Sequence, residues 1–93
     1  MLDVADIPDP ANPLESLWQE EWQSNLLVAA MDRVKRRVRE EHYQIFYFYA
    51  VKQWPVRKVS RVTGASVGKV YLIKHRITAL VKEEIRNLEK TLF

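Results

Sequence analysis

The residues best suited to chemistry lie near the end of the chain, on one side of a predicted helix. When residues 67–90 are placed at 100° intervals, apolar side chains collect on one face of this helix. The opposite face carries Gly68, Leu72, His75, Ala79, Glu83, Arg86 and Lys90. Lys69 and Arg76 flank its first half, and no acidic residue occurs from Ser66 to Lys82. Such a basic face predicts binding to a polyanion such as the major groove of duplex DNA, and an ordinary solvated face is the alternative.

Other kinds of site chemistry have little support in the 93 residues. The absence of cysteine excludes disulfide frameworks, thiolate zinc sites and cysteine nucleophiles. The two histidines, His42 and His75, are far apart, and no serine–histidine–carboxylate or Glu-x-x-His spacing accompanies them. We therefore predict no catalytic residue, metal or cofactor, and no enzyme activity. Without an apolar run of membrane-spanning length or a signal-peptide pattern, we expect a cytoplasmic protein with no membrane partner.

Charge is distributed unevenly along the chain. Residues 1–25 hold six acidic residues and no lysine or arginine, so this segment carries −6. Residues 26–93 hold all fifteen basic residues and the other six acids, so this segment carries +9. A basic body behind an acidic leader is typical of a polyanion-binding protein, and a solvated charged surface on a helical domain is the alternative. The arginine-rich run from Arg33 to Arg39 can bind phosphate or can simply end a solvated helix, where cations suit the helix dipole.

The first half of the chain divides into a linker and two helices. Residues 1–13 contain three of the four prolines and no helical periodicity, which predicts an extended acidic linker before a domain over residues 14–93. Apolar steps of three and four predict a long helix from Leu14 to about Arg39. The segment Tyr43–Trp54 fits a short buried helix, with a strand as the alternative because its aromatics partly alternate. The tryptophans and tyrosines fall on the apolar stripes, which favours core and groove lining over stacking on single-stranded bases.

The second half predicts a helix-turn-helix motif over about residues 55–80. A short helix over Val56–Thr63 follows a proline, and Gly64 can adopt the left-handed conformation that ends a helix. Ser66 is suited to cap the last helix, which runs from Val67 to about Lys90. The sequence thus predicts an all-α domain of four helices.

The run from Trp18 to Leu88, about three quarters of the chain, resembles region 4, the C-terminal domain, of a bacterial extracytoplasmic-function sigma factor. The matching residues are Glu21-Trp22 with Leu26-Leu27, Tyr43-Gln44-Ile45-Phe46, Val59-Ser60-Arg61-Val62-Thr63-Gly64, Ser66-Val67-Gly68-Lys69-Val70-Tyr71 and His75-Arg76. No single piece is diagnostic, but their order and spacing together are specific.

The resemblance implies a transcription function. The last helix would recognise the −35 element of a double-stranded promoter, and the helices before it would hold the flap of the RNA polymerase β subunit. An anti-sigma factor covering the same surfaces is a further implied partner. By position, the residues facing DNA would be Ser66, Lys69, Tyr71, Leu72 and Arg76. Lys74 and His75 would be placed to touch phosphates.

This sequence departs from the family pattern in two ways, and these limit which properties of the family are expected of it. Many members of the family carry a Ser-Arg pair where this chain has Leu72-Ile73, so their base preference is not carried over. The N-terminal domain of the family is not present, and we expect a fragment of a longer sigma factor rather than a stand-alone regulator. Two other functions stay open on the sequence: a helical protein–protein interaction module, and a helix-turn-helix regulator that is not a sigma factor.

Overall fold

The structure is a computed structural model that describes residues 21–92, and every described element is helical. Helix α1 spans Glu21–Arg37 and helix α2 spans Glu40–Phe46, which continues as a π-helix over Tyr47–Val51. Helix α3 spans Val56–Thr63 and helix α4 spans Val67–Leu92. The predicted all-α fold is confirmed, with no strand between residues 21 and 92. The predicted linker and residues 14–20 of the predicted first helix lie outside the described residues.

The core lies between α4 and the three helices before it. Its fully buried side chains come from all four helical elements and are Leu27, Val34, Phe46, Val59, Val70 and Val81. Burying each of these contributes on the order of 1.5–3 kcal/mol to the free energy of unfolding. The apolar residues of α4 recur every three or four positions, so a single face of this helix contacts the others.

The segment with the ambiguous aromatic pattern is helical, and the strand alternative is wrong. Ile45 and Phe46 are both buried, which a strand cannot achieve on one face because neighbouring side chains point to opposite sides. The helix begins at Glu40, earlier than predicted. It then widens, because the Lys52 amide donates to the Tyr47 carbonyl five residues back, at 2.9 Å. Gln53, with a φ of 56°, ends the segment in the left-handed region.

An ion-pair cluster that the sequence analysis did not find joins α1 to α4. Glu84 is only 7% exposed and accepts hydrogen bonds from the guanidinium groups of Arg33, at 3.3 Å, and Arg37, at 2.6 Å. Arg36 pairs instead with Asp32 one turn back, at 2.9 Å. Much of the basic end of α1 therefore pairs with carboxylates of the same domain. Its positive charge is explained without a bound phosphate.

We expect Glu84→Ala to lower the free energy of unfolding by about 1–2 kcal/mol, because two arginines lose their shared acceptor. The loss stays below that of a fully buried pair because both arginine side chains are 47% exposed and remain hydrated. Denaturant unfolding measures the change. The neighbouring Glu83 is exposed, and Glu83→Ala should alter stability by less than about 0.5 kcal/mol. Equal effects of the two substitutions would contradict the role given to Glu84.

Candidate nucleic-acid interface

The turn between α3 and α4 depends on a glycine, as predicted. Gly64 has a φ of 79°, and its amide donates to the Ser60 carbonyl at 2.9 Å to close the end of α3. A Cβ atom built on Gly64 would meet no atom within 4 Å. Glycine is therefore favoured at this position because residues with a Cβ rarely adopt this backbone conformation, and not because a side chain would clash.

Two hydroxyl groups fix the path of this turn. The Ser60 Oγ donates to the Ala65 carbonyl at 2.6 Å. The Thr63 Oγ1 donates to the Val59 carbonyl at 2.7 Å and accepts from the Ala65 amide at 3.3 Å. Ala65 itself is buried, so its polar backbone groups need partners inside the protein. These bonds hold the chain in one course as it enters α4.

The first turns of α4 present most of the predicted site residues on one exposed face. Ser66 caps the helix as predicted, since its Oγ accepts the Lys69 amide at 3.1 Å. Lys69, His75 and Arg76 are exposed, and each lies within about 60° of Leu72 around the helix. Leu72 is 49% exposed. We refer to Ser66, Lys69, Leu72, His75 and Arg76 as the α4 face.

Two predicted site residues are not on this face. Lys74 is only 2% exposed, and its ammonium lies 6.0 Å from the centre of the Tyr49 ring. A phosphate contact from Lys74 does not fit this burial. The position of Lys74, four residues after the fully buried Val70, already places it on the core side of α4. Tyr71 is half-buried, with its ring 5.7 Å from that of Tyr49, so it packs against α2 as well as bordering the α4 face.

A shallow groove borders the α4 face on the side of α2. Its lining residues are Arg39, Glu40, Glu41, His42, Ile45, Thr63, Gly64, Ala65 and Lys69. Two carboxylates stand among the basic side chains there, so the groove does not extend the positive charge of the α4 face.

Within residues 21–92, histidine and acidic side chains form no group that could hold a metal ion. No helix in this part of the chain combines the length and apolar character needed to cross a membrane.

The α4 face is thus a short basic strip with one large apolar side chain at its centre, held against the core by the opposite side of the same helix. No family model, curated protein or solved structure matches the chain.

The two glycines of the chain make a matched test of this turn. We expect Gly64→Ala to lower the free energy of unfolding by about 1–2 kcal/mol, because alanine is strained at a φ of 79°. We expect Gly68→Ala to raise it by about 0.5 kcal/mol, because Gly68 lies inside α4 with open space around its Cβ position. Thermal or denaturant unfolding without nucleic acid measures both. A stabilising Gly64→Ala would contradict the left-handed turn.

Proposed function

We propose that this chain is a DNA-binding domain in which α3, the turn and α4 act as a helix-turn-helix motif. The observation that carries the proposal is the α4 face, which combines exposed cations, an exposed leucine and no acidic residue at the start of a firmly packed helix. A helix that presents its N-terminal turns in this way has the dimensions and chemistry to enter a major groove.

Each residue of the α4 face has a distinct role in this proposal. Lys69 and Arg76 lie two turns apart and attract phosphates or the acceptor edge of guanine. Leu72 lies between them and contacts a thymine methyl group, the apolar feature of the major groove. His75 is placed for a phosphate contact, and Ser66 holds the first turn in shape. The buried Lys74 contributes to packing and does not touch DNA.

The resemblance to region 4 of extracytoplasmic-function sigma factors narrows the proposal to promoter recognition. On this basis the duplex is the −35 element of a promoter, and the polymerase β flap is the protein partner during transcription initiation. An anti-sigma factor would regulate access to both, and the site of action would be the cytoplasm. These assignments rest on the matching residues and on the helical order that accommodates them.

The α4 face can be tested through the salt dependence of duplex binding. We expect Lys69→Ala and Arg76→Ala each to weaken binding and to reduce the slope of log affinity against log salt by about one for each lost phosphate contact. Lys90→Ala is the matched control, because Lys90 is exposed on the same helix about 21 Å beyond Arg76. Lys74→Met should also leave the slope unchanged. If both test variants gave the same slope as the parent chain, the proposed DNA-binding role of the α4 face would be contradicted.

The role of Leu72 can be tested through sequence preference. We expect Leu72→Ala to change the motif enriched from a pool of random duplexes at moderate salt, while affinity for random DNA falls less than twofold. The reason is that a methyl contact depends on the base, whereas phosphate contacts do not. Val28→Ala, an exposed apolar position on α1, is the control. An unchanged motif would show that Leu72 does not read a base. A parent chain that enriches no motif would favour a protein–protein interaction module.

A further inference from the structure

A continuous row of aromatic rings and lysines runs from the end of α1, across α2, to the start of α3. We call it the aromatic–lysine surface, and its members are Lys35, Tyr43, Tyr47, Phe48, Lys52, Trp54 and Lys58. All three lysines and Tyr47 are exposed, and the other rings are half-buried against the core. None of these residues belongs to the α4 face.

The centre of the surface is a stacked pair of rings. Phe48 and Trp54 lie nearly parallel, at 9°, with ring centres 4.3 Å apart. The ammonium of Lys58 lies 4.2 Å from the centre of the Trp54 ring. The indole of Trp54 therefore has both a ring and an ammonium packed against it. The ammonium of Lys52 lies 5.9 Å from the ring centre of Tyr47 and 5.9 Å from that of Trp54.

Unusual backbone geometry brings these side chains together. The π-helix over Tyr47–Val51 inserts an extra residue into the turn, and Gln53 is the only non-glycine residue with a positive φ between residues 21 and 92. The Trp54 amide then donates to the Phe48 carbonyl at 3.0 Å, which fixes the ring stack. Such departures from regular geometry are concentrated at binding sites.

A groove lies at the α1 end of the surface. Its lining residues are Lys35, Glu40, Tyr43, Gln44, Tyr47 and Phe48. Burial, with smaller contributions from nearby Tyr47 and Asp32, raises the pKa of Tyr43 above its usual 10.0, so this ring stays neutral in the groove. Three lysines and one lining carboxylate give the whole surface a positive charge, with apolar rings between the lysines. The complementary ligand is an extended segment in which carboxylates alternate with apolar side chains.

We propose that the aspartate-rich start of this same chain, residues 2–10, binds the aromatic–lysine surface. This segment reads Leu-Asp-Val-Ala-Asp-Ile-Pro-Asp-Pro, and it places Asp3, Asp6 and Asp9 between apolar residues. The aspartates pair with the lysines, and Val4 and Ile7 contact the rings. The first basic residue of the chain is Arg33, which pairs with Glu84, and the next is Lys35 of the aromatic–lysine surface. It binds as a peptide laid over an aromatic groove with a cationic rim.

The segment can reach this surface if the chain before Glu21 is extended. Glu21 is the first described residue of α1, and Lys35 lies about 21 Å farther along the helix at 1.5 Å per residue. The eleven residues from 10 to 20 span up to about 36 Å when extended. A helix that began at Leu14 would put Lys35 about 32 Å away, within reach of Asp3 but not of Asp6 or Asp9, so the proposal requires a later start of the first helix.

Single-stranded nucleic acid is the other ligand that aromatic and lysine side chains suggest, and the ring geometry disfavours it. Bases bind such surfaces by stacking on free ring faces. Trp54 already stacks on Phe48 and has the Lys58 ammonium against its ring, and Tyr43 lies stacked beside Tyr47, with ring centres 6.4 Å apart. The three lysines of the surface are exposed, and their ammonium groups suit carboxylates.

Paramagnetic broadening in the full chain tests the proposal. Because the chain has no cysteine, Ala5→Cys gives a single site for a nitroxide label that leaves the aspartates in place. We expect strong broadening of the Tyr47 and Lys52 amides and of the Trp54 indole N–H. The substitutions Asp3→Asn, Asp6→Asn and Asp9→Asn together should remove most of it, as should about 0.5 M salt through screening.

Matched lysine variants distinguish binding to the aromatic–lysine surface from a general attraction to positive charge. In the labelled chain, Lys52→Ala with Lys58→Ala should relieve broadening of the Trp54 indole. Lys82→Ala with Lys90→Ala removes the same charge elsewhere and should not. The proposal is overturned if broadening falls instead on Lys69 to Arg76, if no resonance is broadened, or if broadening survives the aspartate substitutions. Duplex binding is not part of the readout, so failure here is distinguishable from failure of the proposed function.

Discussion

Burial of one face of α4 is the constraint on which the rest of the structure depends. This helix is long, and Val70, Ile73, Ile77 and Val81 must be removed from water together. No single partner covers that face, so α1, α2 and α3 each contribute side chains to it. Once these residues are fixed inward, the helical repeat leaves Lys69, Leu72 and Arg76 no orientation except outward. The exposed strip is therefore a consequence of core packing and is held with the rigidity of the core.

Polar groups stabilise the two places where apolar packing alone is insufficient. At the turn before α4, Ser60 and Thr63 supply hydroxyls that satisfy backbone groups near the buried Ala65. Farther along α4, Glu84 and two arginines of α1 form an ionic cluster at the edge of the core.

Features that depend on residues close together in the sequence could be predicted from the sequence. The helical faces, the left-handed Gly64 and the Ser66 cap all follow from periodicity and backbone preference, and the structure confirms them. Glu84 was missed because its partners lie 47 and 51 residues away, beyond any local pattern. The π-helix was missed because residues 47–51 have no sequence signature that separates it from an α-helix. Of the seven predicted site residues, Lys74 is buried and Tyr71 is half-buried against Tyr49. Both were implied by the resemblance, which carries no information on how the side chains of this chain pack.

The burial of Lys74 also changes how the domain responds to chemical modification. Reagents that acylate lysine react with the free amine at accessible positions, so Lys69, Lys82 and Lys90 should be modified readily in the folded protein. Lys74 is enclosed, and it can react only when α4 separates from α2. Within one helix the chain thus contains both surface lysines that report what covers them and an interior lysine whose modification rate reports how often the domain opens.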